Sequence, residues 1–317
     1  MTEQSKIALP LTGGTLIERA VAAFDLGKLK PAPVPAGLAG SMPRPAELHS
    51  VDDRQPAKVP AQALTASCSA FSSARHPVDR QHLRDQGMIV PEGSVTALLE
   101  EFRIVKRHIL QQAAELRRQG DNIGAAQRVL VCSPLPGEGK TYCAINLALS
   151  MAAEKQGEVL LVDADFAKPS VLSTLGLPGG PGLMDALADP AADVRDYVLG
   201  TDIPGLWVLP AGDATTSDSE FLSSSRTADV LDRLTEGAPQ RMVVFDSPPA
   251  LAASPAAELA KYVGQALMIA RADRTGQRAL EDALALLSAC PNIELLLNAA
   301  SFSPSGRRFG TYYGYVG

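Results

Sequence analysis

The 317-residue chain is short of several things, and each shortage closes off a class of function. Lys and Arg number 29 against 35 Asp and Glu, a formal charge of -6, so the broad basic surface that nucleic acid requires is missing from the average, and no nucleic-acid partner is expected. No apolar run approaches the roughly 18–20 residues that span a bilayer, and the first residues carry no apolar signal core. The expectation is a cytoplasmic chain, with any membrane role borrowed from a partner. Cysteine is scarce: Cys68, Cys132, Cys143 and Cys290 lack metal-ligand spacing and read as reduced thiols. Aromatic residues make up only 5% of the chain, yet Tyr312, Tyr313 and Tyr315 are half of its six tyrosines. They lie in the terminal stretch "RRFGTYYGYVG", which is too rich in glycine to build a core.

What is present divides the chain in three. Residues 1–92 hold proline-, serine- and alanine-rich stretches such as "KPAPVPAGLAGSMPRPAE", without a sustained period, and read as a largely disordered arm. An island near 15–26, "TLIERAVAAF", predicts a short helix: Thr15 and Glu18 form a capping box, and Leu16, Ile17, Ala20, Val21 and Phe24 fall near one face. That helix suits docking to a partner and packing on its own domain equally. From 93 to 300 the texture becomes alternating strands and helices. The runs "RVLVCS", "EVLLVDA", "GLWVLPA", "RMVVFDS", "QALMIARA" and "IELLLNAA" are short and almost wholly apolar, the pattern of a parallel sheet covered on both faces. The fold class is therefore α/β, a doubly wound, mostly parallel sheet, in which ligands sit at the carboxyl ends of strands. Residues 301–317 form a flexible tyrosine-rich tail.

The first of those strands runs into "SPLPGEGKTY". Gly137 and Gly139 let backbone N–H groups turn inward around phosphate oxygens, and the following helix adds its positive end. The nucleotide contacts expected are Pro136, Gly137, Glu138, Gly139, Lys140, Thr141 and Tyr142, with Lys140 on the β/γ-phosphates of ATP and the Thr141 hydroxyl on Mg²⁺. Pro134 replaces the first glycine of the common phosphate-loop pattern. The next strand ends in Asp163 and Asp165, and a later one in Asp246. Three carboxylates at the loop's edge of the sheet suit a hard cation, which takes one or two of them with phosphate and water. Another is left to orient or deprotonate a nucleophile, and a phenol of pKa about 10 benefits from such a base.

"SPLPGEGKT", "LLVDADFAKP" and "VVFDSPP" resemble the Walker A, A' and B motifs of the bacterial tyrosine kinases. That family autophosphorylates a C-terminal tyrosine cluster and controls exopolysaccharide polymerisation and export, and its fold is shared with the deviant phosphate-loop ATPases of the MinD and ParA type. "TLIERAV" and "YYGYVG" resemble especially the branch from exopolysaccharide loci of the PEP-CTERM type. The resemblance runs from 95 to 317. It implies catalytic roles for Lys140, Asp163 and Asp165, a metal site of Thr141, Asp163 and Asp246, and an adenine contact from Asn298. Acceptors would be Tyr312, Tyr313 and Tyr315. The family's oligomerisation motif, Glu-x-x-Arg-x-x-Arg, appears as Glu100, Arg103 and Lys106, where Lys lacks the bidentate fork of Arg. Implied partners are other copies of the chain in a ring-like homo-oligomer, a membrane-embedded polysaccharide co-polymerase that activates it, and a protein-tyrosine phosphatase. The chain departs from the family at Ala167, with the basic residue one place later at Lys168, at Pro255, with an acid only at Glu258, and at Ala299.

Two other readings remain open. A partitioning or division-site ATPase shares the fold, but Leu135 and Pro136 stand where its signature lysine belongs, and a glycine-broken tail cannot form a basic amphipathic helix. A nucleotide-gated scaffold of the polysaccharide machinery, silent in phosphate transfer, is the third. The tail fits the kinase reading best. Its reach is about 22 Å for 16 residues, beside a radius of gyration of roughly 17 Å for the domain. Arg307 and Arg308 make the tail attractive to a site of ATP and aspartates.

Overall fold

The computed structural model describes residues 71–300, apart from 72, 121, 155–156 and 214–217. The helix expected near 15–26 and the acceptor tyrosines 312, 313 and 315 lie outside the described residues. Along the chain the elements are β1 (Arg75–His76), α1 (Arg80–Asp85), α2 (Ala97–Gln119), α3 (Ile123–Ala126), β2 (Arg128–Cys132), α4 (Lys140–Ala152), β3 (Glu158–Asp163), α5 (Val171–Leu175) and α6 (Leu183–Ala188). After a 3-10 turn at Val194–Tyr197 come β4 (Leu199–Thr201), β5 (Leu206–Leu209), α7 (Asp218–Ser223), α8 (Arg226–Thr235), β6 (Arg241–Asp246), α9 (Pro255–Leu259), β7 (Gln265–Arg271), α10 (Gln277–Leu286) and β8 (Ile293–Asn298).

The described strands form one sheet in the order β1-β4-β5-β3-β6-β2-β7-β8. Every pairing in it is parallel except β4 with β5. The expected doubly wound, mostly parallel sheet is thus the fold. Its central strands are buried on both faces because their side chains alternate between two cores. Leu130 and Cys132 of β2 enter the layer with Leu183, Leu231 and Leu259, while Val129 and Val131 enter the layer with Phe102, Ile109 and Ile145. Helix α2 begins where the Thr96 hydroxyl accepts the Leu99 N–H at 3.2 Å, and it stops at Gly120, whose φ of 83° ends the helix; both are common helix-end devices.

The compact fold starts earlier than position 93. Val78, Leu83 and Ile89 are buried, β1 pairs with β4, and the Ile89 N–H donates to Asn146 Oδ1 at 2.8 Å. A two-residue strand and a six-residue helix are too short to show a hydrophobic period, so this segment looked like more of the preceding arm. No helix among the described residues is long and apolar enough to cross a membrane. Leu83 has no exposed surface, so Leu83→Ala is expected to destabilise the protein by about 2–5 kcal/mol, read as a lower urea midpoint. An unchanged midpoint would place residues 80–85 outside the cooperative unit.

Candidate nucleotide and phosphotransfer site

The loop between β2 and α4 has the conformation its glycines permit. Gly137 and Gly139 have φ of 75° and 95°, a region that residues with a Cβ rarely occupy. At Gly139 space adds to the constraint, since a Cβ there would meet Asn298 Nδ2 at 2.2 Å. Gly139 is also the N-cap of α4 and supplies no side-chain cap, which leaves the helix's first N–H groups and its positive end for an anion. Lys140 and Thr141 open that helix, so their side chains are placed by its first turn.

The loop is held from behind by a network the sequence did not suggest. Glu138 is fully buried; one carboxylate oxygen accepts the Leu135 N–H at 2.7 Å and the other accepts the Thr275 hydroxyl. Thr275 Oγ1 in turn accepts the Arg271 N–H at 2.8 Å, and Arg271 Nη1 donates to Gly137 O at 3.1 Å. Asn298 Nδ2 donates to Glu138 O at 2.8 Å, while Asn298 Oδ1 accepts the N–H of Ala299 at 2.8 Å. Both ends of the Asn298 amide are therefore used to hold the loop and the turn after β8, where the resemblance had implied an adenine contact. The Glu138 side chain likewise braces the loop from within, leaving its backbone for the ligand. Arg271 and Thr275 follow the end of β7, beside β2, and that position was the available signal.

The carboxylates are gathered by strand register. Asp163 of β3 stands opposite Asp246 of β6, and Val131 of β2 stands opposite Asp246 on its other side. Asp163 accepts the N–H groups of Ser170 and Val171, each at 2.9 Å, and that of Asp165 at 3.3 Å. Burial nevertheless pushes its carboxyl up to about 6. Asp165 is only half-buried; burial raises its pKa too, with the Lys140 charge opposing. Asp246 has no exposed surface, and neither of its oxygens has a hydrogen-bond partner of regular geometry. Burial pushes it up to about 7, while the Thr141 hydroxyl favours its charged form, Asp163 disfavours it and Lys140 favours it.

A buried carboxylate without a hydrogen bond of regular geometry, acted on by a hydroxyl and an ammonium, fits a hard divalent cation. Among the described residues no group of three or more His, Cys, Asp or Glu is placed to hold a metal by itself, so phosphate and water would complete the shell. Thr141 and Asp246 fit that role. The oxygens of Asp163 are occupied by N–H groups that fold the 165–171 turn, so its fit to a metal is weaker.

No family model matches the chain. It is 29% identical over 249 residues to the putative tyrosine-protein kinase EpsB of Ralstonia nicotianae, covering 74% of this chain and 31% of EpsB. It is 28% identical over 220 residues to the tyrosine-protein kinase YwqD of Bacillus subtilis, covering 69% of this chain and 86% of YwqD. The kinase domain of the Escherichia coli tyrosine kinase ETK shares the fold, with a TM-score of 0.51 at 23% identity over 60% of this chain and 73% of that one. These relatives and this fold make the chain similar to the bacterial tyrosine kinases. It spans less than a third of the length of EpsB.

The other expected site residues are placed as follows. The Tyr142 phenol donates to Gly87 O at 2.8 Å and its ring packs on the core, so only its backbone, in the first turn of α4, is left to face a phosphate. Glu100 and Arg103 form an ion pair on α2. Lys106, expected with them in an oligomerisation motif on one helix face, is buried: its Nζ lies 2.8 Å from Glu154 and donates to Ser150 O at 3.3 Å, near the C-terminal end of α4. The long Lys stem reaches inward because Phe102 and Ile109 on the same face pull that side of α2 against α4. Pro255 opens α9, and Glu258 pairs with Lys261 at 2.7 Å.

Two outcomes test this site. Asp246 and Asp163 hold their protons in the native state to higher pH than in the unfolded chain, so their contribution to stability is full below about 3.8 and is lost as pH rises through about 6 and 7. Asp246→Asn in nucleotide-free protein with chelator is therefore expected to raise the Tm at pH 8 and flatten its fall between pH 4 and 7. A lower Tm at pH 8 would mean that the carboxylate has a stabilising partner. Thr275→Val leaves Glu138 one donor short, and nucleotide affinity is expected to drop about tenfold by calorimetric titration. Unchanged affinity would show that the brace does not set the loop.

Proposed function

We propose that the chain is an ATP-dependent protein-tyrosine kinase that phosphorylates its own C-terminal cluster, Tyr312, Tyr313 and Tyr315, and so regulates exopolysaccharide polymerisation and export. The observation that carries this reading is the register that sets Asp163 beside Asp246 at the strand ends, where both the Thr141 hydroxyl and the Lys140 charge act on Asp246, in a chain whose tail concentrates tyrosine. The names of its relatives support the tyrosine-kinase part of this reading.

In this mechanism the loop N–H groups and Lys140 hold the β- and γ-phosphates in line with an incoming phenol. Thr141 and Asp246 would hold Mg²⁺, which when bound neutralises charge on those phosphates. Asp165, half-exposed and with its pKa raised, is the carboxylate suited to take the phenolic proton, while Asp163 keeps the 165–171 turn in place. The tyrosine oxygen bonds to the γ-phosphorus, the bond to the β–γ bridging oxygen breaks, and ADP leaves with that electron pair. The raised pKa narrows the gap to a phenol near 10 and makes Asp165 a better acceptor than an ordinary carboxylate.

The tail's reach allows transfer within one chain or to a neighbour, and the family resemblance favours a neighbour in a homo-oligomer. The same resemblance supplies the remaining partners: a membrane-embedded polysaccharide co-polymerase as activator and a protein-tyrosine phosphatase that resets the tail, with the chain cytoplasmic at the inner membrane.

Incubation with Mg²⁺ and labelled ATP is expected to label tyrosine in the wild type, and the label to be lost both in Lys140→Met and in a chain truncated after Pro304. Label retained after truncation would move the acceptor out of the tail; nucleotide binding with no phosphotyrosine would replace the kinase by a scaffold.

A further inference from the structure

The amino-terminal edge of the sheet, away from the phosphate loop, holds a cleft of about 300 Å³. Its walls come from α2, the end of α4 and the starts of the parallel neighbours β3 and β6. Helix α4 is 13 residues long, so the cleft lies about 20 Å from the phosphate loop at the other end of that helix. Leu110, Met151 and Met242 make part of the lining apolar. The rest of the lining is charged and polar, and its charges do not balance. Glu154 is paired with Lys106 at 2.8 Å and Glu158 with Arg241 at 3.2 Å, so both carboxylates of the lining already have a cation.

Arg117, which lines the same cleft, has no carboxylate among the described residues. The one hydrogen bond of its side chain is the weak one from Nη2 to Met242 Sδ at 3.8 Å, and its Nε is buried without an acceptor. Burial lowers the pKa of this guanidinium and no neighbouring carboxylate acts to raise it, in contrast to Arg128, which Asp232 supports. A place in the last turn of α2 suits a positive charge to the helix's negative end. It does not account for withdrawing Nε from both water and acceptors, which costs stability unless a ligand supplies the acceptor.

We infer that this cleft binds a carboxylate carried on an apolar stem, anchored by the Arg117 guanidinium, with the Gln240 amide of the same lining as a second donor. A carboxylate accepts two parallel N–H groups of a guanidinium in one plane. One unpaired cation balances one negative charge, whereas a phosphate dianion would face Glu154 and Glu158 with charge to spare. The two thioethers and Leu110 give an apolar stem a surface to pack on. A small organic acid and the end of an acidic side chain share this chemistry, and the cleft has room for either. The inference is independent of the function proposed above, since it involves neither ATP nor tyrosine.

Thermal unfolding of the full chain in butyrate, against sodium chloride of equal ionic strength, tests it. The wild-type Tm is expected to rise saturably, by roughly 3 °C or more at ten times the dissociation constant. Arg117→Met is expected to abolish the rise, and Arg117→Lys, which keeps the charge but not the fork, to weaken binding about tenfold. Gln240 is exposed, so Gln240→Ala leaves the core undisturbed and is expected to weaken binding severalfold. Any anion held at the phosphate loop acts on wild type and variants alike and cancels. An equal rise in wild type and Arg117→Met would overturn the inference, as would a wild type that does not respond. A response through Arg117 that inorganic phosphate elicits at lower concentration than butyrate would overturn the carboxylate assignment. The blocked peptide acetyl-Ala-Glu-Ala-amide separates the two sources: half-saturation at least tenfold below that of butyrate assigns the cleft to a protein carboxylate, and parity assigns it to a free acid.

Discussion

The site depends on a charge placed where water cannot reach it. Asp246 ends β6 between β3 and β2, fully buried and with neither oxygen in a hydrogen bond of regular geometry, and its pKa is pushed up to about 7. Left ionised and alone, such a group works against folding; joined by a cation and a polyphosphate, it becomes part of what binds them. The fold therefore holds in reserve a destabilisation that a ligand relieves. A slip of one residue in the β6 register would send the carboxylate to the other face of the sheet. The parallel pairings on both sides of β6, each with four or more residues in register, prevent it.

Around that carboxylate the molecule spends charged and polar side chains on holding parts still. Glu138 ties the phosphate loop to the turn after β7, and Asn298 ties it to the end of β8. Asp163 gathers the N–H groups of the 165–171 turn and so sets where Asp165 projects. On the other side of the sheet, Lys106 joins α2 to the end of α4, and the phenol of Tyr142 joins α4 to the segment at Gly87. Helix α4, whose N-terminus faces the ligand, is thus anchored at both ends. A triphosphate binding there would meet a loop already in shape, which lowers the ordering cost of binding.

The parts of the site legible in the sequence are those whose demands are local. Gly137 and Gly139 occupy left-handed conformations that their own lack of a Cβ allows, and Lys140 and Thr141 follow them onto one turn of helix. Asp163, Asp165 and Asp246 terminate apolar runs, so their place at the carboxyl edge followed from reading those runs as parallel strands. The segment from 71 to 92 escaped notice because its elements are too short to show a period. Lys106 was read with Glu100 and Arg103 as one oligomerisation face because spacing tells which residues share a face but not which neighbour covers it. Asn298 was assigned by resemblance to the base, yet its contact is with Glu138, 160 positions away, a distance no local pattern spans.

By itself, then, the sequence determined the alternation that makes a parallel sheet, the glycines that shape a phosphate cradle, and the acids that end its strands, since each follows from backbone conformation and hydrophobic period within a few residues. Only the tertiary structure decided which strands are neighbours. That choice, made by packing two cores on opposite faces of the sheet, put Asp163 next to Asp246 and gave Glu138 to Thr275.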